Sequence, residues 1–154
     1  MEKIDYQING NSTIAQSLRE LRRHAPMAFQ KLLFMEWFWL AVGIGNYGAT
    51  DGRSLFLNPH GLKKIESTTN PVGYLAFLLI HEALHAMLNH ALRLLKLQDR
   101  QLANVAADYV INAIIARINK AVEKAHGYIP FPFIDGILYD EKISHRNEGK
   151  GKGY

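Results

Sequence analysis

The chain contains no cysteine. This excludes disulfides, cysteine nucleophiles and thiolate zinc sites, so any metal must be held by His, Asp or Glu. Met1-Glu2-Lys3-Ile4-Asp5 lacks a basic segment followed by an apolar one, and no signal peptide is expected. The apolar run at 32–44 is too short for a membrane span and has Lys31 and Glu36 at or inside its start. The cytoplasm is therefore the default location, and no membrane partner is expected. The glycines at 43–52 form neither G-x-G-x-x-G nor a lysine-bearing P-loop, which argues against phosphate binding. No internal repeat is found. Positive charge is in only modest excess, at +4, and Arg19, Arg22, Arg23, Lys150 and Lys152 belong to no nucleic-acid module. They read as solvated surface, with nucleic acid not expected as a partner. With 48% hydrophobic and 21% charged residues, the 154-residue chain has the composition of one soluble domain, expected over 1–140. Residues 141–154, with alternating glycine and lysine from Gly149 to Gly153, read as a flexible tail.

Punctuation along the chain outlines the elements. Ser12 or Thr13 can cap a helix reaching about His24, and Pro26 suits the first turn of a second, short helix. The aromatic stretch from 35 to 42 reads as a buried strand, although its composition also permits helix. Turn formers follow from Gly43 to Gly52, then a short strand, Ser54-Leu55-Phe56-Leu57, ended by Asn58-Pro59. The two strands are expected to form a hairpin, whose edge could hold an extended peptide. A short helix is expected at 60–65. A long helix starts at Asn70 or Pro71 and reaches about Leu97, and another, capped by Asp99, runs from Gln101 to about Ala125 and stops at Gly127. Pro130 and Pro132 hold residues 128–133 extended.

The chemistry-bearing stretch is His81-Glu82-Ala83-Leu84-His85, an H-E-x-x-H inside an apolar, helix-favouring run. Residues four apart share one helix face, so His81 and His85 can offer imidazole nitrogens to one metal ion. Glu82 lies off that axis, where its carboxylate can reach a metal-bound water and act as general base. Ionisable groups on a buried helix are costly unless something satisfies them. The bland alternative is a pair of histidines turned to solvent or hydrogen-bonded in the core.

A catalytic zinc usually takes three protein ligands and a water. His90, nine residues after His81, would be rotated roughly 180° from it and 140° from His85 on a continuous helix. It would join the metal only if the helix broke before it, so it reads as a supporting or core histidine. Asp108 is the better candidate. Asn104, Asp108 and Asn112 fall four apart and form a polar stripe on an otherwise apolar helix. Under this reading Asn104 and Asn112 hold the ligand in place, whereas the alternative is a stripe facing water. Tyr109 could hydrogen-bond a developing oxyanion or simply pack in the core.

The combination of H-E-x-x-H-x-x-x-x-H-x-x-R with N-x-A-x-D-x-x-I-N resembles a bacterial and phage family described as putative metallopeptidases. Its members often carry a von Willebrand factor A-like domain after the peptidase domain. The matching residues are His81, Glu82, His85, His90, Arg93, Asn104, Ala106, Asp108, Ile111 and Asn112, and the stretch at 49–59 also looks like that family's. The resemblance covers roughly 20–140. It implies an α+β, zincin-like fold, mostly helical with a small sheet or hairpin before the H-E-x-x-H helix, and Asp108 as third ligand. The expected activity is hydrolysis of peptide bonds with Zn2+ as cofactor, a peptide or protein as substrate and a von Willebrand factor A-like protein as a candidate partner. Two rivals stay open. One is a metal-dependent amidase or peptidoglycan hydrolase using the same site, and the other is a non-catalytic binding protein stabilised by zinc.

Overall fold

In a computed structural model the described residues are 1–40, 47–94 and 100–133, apart from the side chains of 89–94 and 100–104. The order is α1 (Thr13–His24), α2 (Pro26–Leu33), β1 (Glu36–Trp39), β2 (Gly48–Thr50), β3 (Ser54–Leu57), α3 (Pro59–Glu66), α4 (Pro71–Leu94) and α5 (Arg100–His126). It is a mixed α and β architecture of five helices and one three-stranded sheet. The expected 141–154 tail, the Asp99 cap and the turn formers at 43–46 lie outside the described residues.

Most boundaries follow from local chemistry. Ser12 caps α1, its hydroxyl accepting the Ala15 N–H at 3.1 Å. Pro26 occupies the first turn of α2, where its missing N–H costs nothing. Asn58 caps α3 ahead of Pro59, and Asn70 accepts the Gly73 N–H at the start of α4. α5 stops at Gly127, whose φ of 79° lies in the left-handed region that favours glycine.

The sheet corrects one expectation. β1 and β3 do not form a hairpin. They run parallel, Glu36 opposite Ser54 through Trp39 opposite Leu57. The strand that turns back on β3 is β2, giving the order β1-β3-β2 with β2 antiparallel to β3. The turn residues at 50–54 were legible. Asp51 Oδ1 accepts the N–H groups of Arg53 and Ser54, Thr50 Oγ1 accepts that of Gly52, and Gly52 has φ 95°. What escaped was the strand before the turn, because Gly48-Ala49-Thr50 has little strand propensity. Gly48 suits a close approach: a Cβ there would lie 3.3 Å from Leu78 Cδ1 on α4 and 3.3 Å from the Phe56 carbonyl oxygen. The outer side of β1 is covered by the N-terminal segment, through Ile4 N to Trp37 O and Trp39 N to Glu2 O.

α4 is the hub, in contact with α1, α2, α3, β2 and α5. Residues 75–80 are all buried, and Phe77, Leu79 and Ile80 are among the largest enclosed side chains. Each contributes about 1.5–3 kcal/mol through removal from water. The 18-residue window Pro71–Leu88 is long and apolar enough to cross a membrane, but over half of it is buried within this fold. It has the character of a core helix hydrophobic nearly all round. α4 therefore holds its polar residues at fixed positions.

Candidate metal centre

Phe77, His81 and His85 follow one another at four-residue spacing on one face of α4, each lying over the turn before its own. α5 packs against α4 and brings Asp108 to that face. His85 Nε2 is 2.7 Å from Asp108 Oδ1, His81 Nε2 is 3.5 Å from the same oxygen, and the two Nε2 atoms are 3.1 Å apart. Three ligand-type atoms thus converge within 4.8 Å of one another. Ligands at zinc's usual bond lengths in a tetrahedron stand about 3.3 Å apart, so the two longer spacings bracket that value and the donor set fits. Both imidazoles present the same nitrogen to one point. Two neutral rings meeting that way can share only one proton, whereas a cation satisfies both lone pairs.

The electrostatics suit a cation. Burial works against a charged His85 ring, but the hydrogen bond to Asp108 and the charges of Glu82 and Asp108 outweigh it and raise the His85 pKa. Burial likewise works against the Asp108 carboxylate, and its hydrogen bonds to His81 and His85 outweigh that and lower its pKa. The two shifts agree in describing an ion pair, and a metal binding here would compete with its proton. Asp108 is half-buried rather than enclosed, with its side chain 22% exposed. That exposure leaves the cluster accessible to solvent.

Glu82 is 8% exposed, and its carboxyl is coupled electrostatically to His81, His85 and Asp108. Burial pushes its carboxyl up, the His81 and His85 imidazoles pull it partly back, and Asp108 raises it again. Such a group holds a proton more readily than a solvated glutamate.

The other expected site residues fall as follows. Asn112 is half-buried one turn beyond Asp108 on α5. Tyr109 is 48% exposed, which removes the alternative of a core tyrosine. α4 runs unbroken through His90 to Leu94, so the helix break that His90 would need does not occur. The side chains of His90 and Asn104 lie outside the described residues.

Three residues had not been anticipated. The Phe77 ring stacks on His81 with centroids 5.7 Å apart and planes inclined by 30°. Its position four residues before His81 was the available signal. Phe133 packs on Phe77 at 4.7 Å, a contact across 56 residues that no local pattern marks. Asn119 is buried on α5 and clasps the Phe131 backbone, donating from Nδ2 to the carbonyl at 2.7 Å and accepting the N–H on Oδ1 at 3.0 Å.

No curated protein and no solved structure matches the chain. A family model described as "putative metallopeptidase domain" matches residues 10–126, which takes in everything from the cap of α1 to the end of α5. With both helices of the His81, His85 and Asp108 cluster inside that match, the chain belongs to this putative metallopeptidase domain family.

Proposed function

We propose that the protein is a zinc-dependent peptidase of the H-E-x-x-H type with a zincin-like arrangement, in which His81, His85 and Asp108 hold the ion and Glu82 is the general base. The observation that carries this reading is the convergence of those three donors beside a buried glutamate. Zinc held by His81, His85 and Asp108 would supply Lewis acidity, making a water more acidic and a carbonyl more electrophilic. Glu82 takes the proton of the attacking water on its carboxylate and passes it to the leaving amine. Its burial supports both halves of that cycle, because a raised pKa keeps the transferred proton until the amine departs. Asp108 and the paired imidazoles fix one another's orientation, and Asn112, Asn104 and His90 are assigned to steadying them. Tyr109, beside Asp108 and exposed, is assigned to donate a hydrogen bond to the carbonyl oxygen as negative charge develops there. Among the described residues three protein donors converge, the number that catalytic rather than structural zinc sites commonly use. The same reading has the chain acting on peptides in the cytoplasm, with α4 enclosed by its neighbouring elements.

The test is Glu82→Gln assayed on fluorescein-labelled casein with zinc content measured in parallel. The variant should keep its metal and lose about 10²–10⁴-fold in hydrolysis. Full activity would remove Glu82 as base.

A further inference from the structure

We propose that residues 128–133 form one wall of the substrate cleft, with Phe133, seated on Phe77, as a subsite for a large apolar or aromatic side chain next to the scissile bond. This rests on the peptidase reading and adds a substrate class to it.

The segment is pinned at two points before it reaches the site. Tyr128 donates its hydroxyl to Glu20 Oε2 at 2.9 Å and lies 2.6 Å from His24 Nε2, which ties it to α1. Phe131 is fully enclosed in the core, and Asn119 holds its N–H and carbonyl as a neighbouring strand would. Pro130 and Pro132 flank Phe131 and restrict the backbone on both sides. These restraints leave Phe133 little choice of position. Its ring lies 4.7 Å from Phe77 at 56°, and Phe77 in turn stacks on the His81 imidazole. Two ring contacts thus lead from the metal-binding nitrogen to Phe133. Phe77 is closed off from water, but Phe133 is 40% exposed, so an apolar surface remains open beside the centre. A rigid aromatic face of this kind favours a side chain that can stack on it or cover it. Small and charged side chains gain little there.

The test uses the zinc-loaded full chain and three hydroxamates, with affinity measured by titration calorimetry. Acetohydroxamate, which has no side chain, reports on the metal centre alone. The affinity ratio of N-acetyl-phenylalanine hydroxamate to N-acetyl-alanine hydroxamate reports on the subsite. The expected ratio is about tenfold in wild type. It should fall towards unity in Phe133→Ala and largely return in Phe133→Leu, with acetohydroxamate binding unchanged in both. A wild-type ratio near unity, or one that Phe133→Ala leaves intact, would overturn the subsite while the metal centre stands. Failure of wild type to bind acetohydroxamate would refute the metal centre and the subsite with it.

Discussion

Replacing Asp108 with alanine tests the centre most directly, because this one residue brings α5 into a site otherwise built on α4. Its carboxylate is the nearest partner of His85, at 2.7 Å, and also faces His81, at 3.5 Å. Structural zinc sites bind with about 10–16 kcal/mol shared over four ligands, so one ligand accounts for about 3 kcal/mol, or roughly a hundredfold in affinity. With free zinc at about a thousand times the wild-type Kd, binding stabilises the native state by about 4 kcal/mol. Asp108→Ala at the same zinc concentration retains about 1.4 kcal/mol. For a domain of this size each kcal/mol moves Tm by about 3 °C, so zinc should raise the wild-type Tm by about 12 °C and that of the variant by about 4 °C. The assay is thermal unfolding with and without zinc, accompanied by elemental analysis of dialysed protein. His85→Ala should behave like Asp108→Ala. Glu123→Ala, on the exposed side of α5 and about 22 Å along it, should behave like wild type. If Asp108→Ala kept the full zinc shift, the third ligand would lie elsewhere and His90 would be tested next. If wild type showed no shift and no metal, the centre itself would be refuted.

Two further predictions concern the framework. Asn119→Ala should cost about 2–4 kcal/mol in urea unfolding, because it leaves the enclosed Phe131 N–H and carbonyl without their shared partner; a loss below about 1 kcal/mol would show that water replaces the amide. The His24 pKa lies below its usual 6.5, chiefly through burial and further through Arg23 and His126, with Glu20 opposing. Between the folded value and 6.5 the unfolded chain therefore binds more protons, so this contribution is whole above pH 6.5 and is lost as pH falls through the folded value. The drop in Tm between pH 7.5 and pH 5 should be smaller in His24→Gln than in wild type, and an equal drop would refute the account.

Much of this arrangement was written locally. Ser12, Pro26 and Gly127 mark helix ends through chemistry confined to a few residues, and the structure uses each of them that way, while Asn58, read as the end of a strand, also caps α3. His81 and His85 were legible because helical spacing alone places them together, and Asp108 because a carboxylate in a polar stripe on an apolar helix wants a cation. The illegible parts are non-local. Nothing in Ser54-Leu55-Phe56-Leu57 states that its parallel neighbour is Glu36–Trp39, since parallel pairing leaves no turn between partners to read. Asn119 has the same spacing logic as Asp108, yet its partner is a backbone twelve residues on that the chain reaches only after reversing at Gly127. Phe133 finds Phe77 through that same reversal.

The cost side of the fold points to the same residues. Ala76 to Ile80 show what α4 contributes when burial is its only task, since every side chain there is apolar and enclosed. Directly after them the helix carries His81, Glu82 and His85, and Glu82, at 8% exposed, is still a buried residue. A carboxylate so placed is disfavoured by burial, and leucine or methionine would fill the volume without that penalty. The adjoining face of α5 repeats the pattern, with Asp108 set between the buried Ala107 and Ile111. Stability alone would select against the Glu82 carboxylate, whereas that of Asp108 is held there by its hydrogen bonds to His81 and His85. The placement of both carboxylates near two imidazoles, on the central core helix and its neighbour, follows if the charges are needed at fixed positions, as a bound cation and a proton acceptor beside it require.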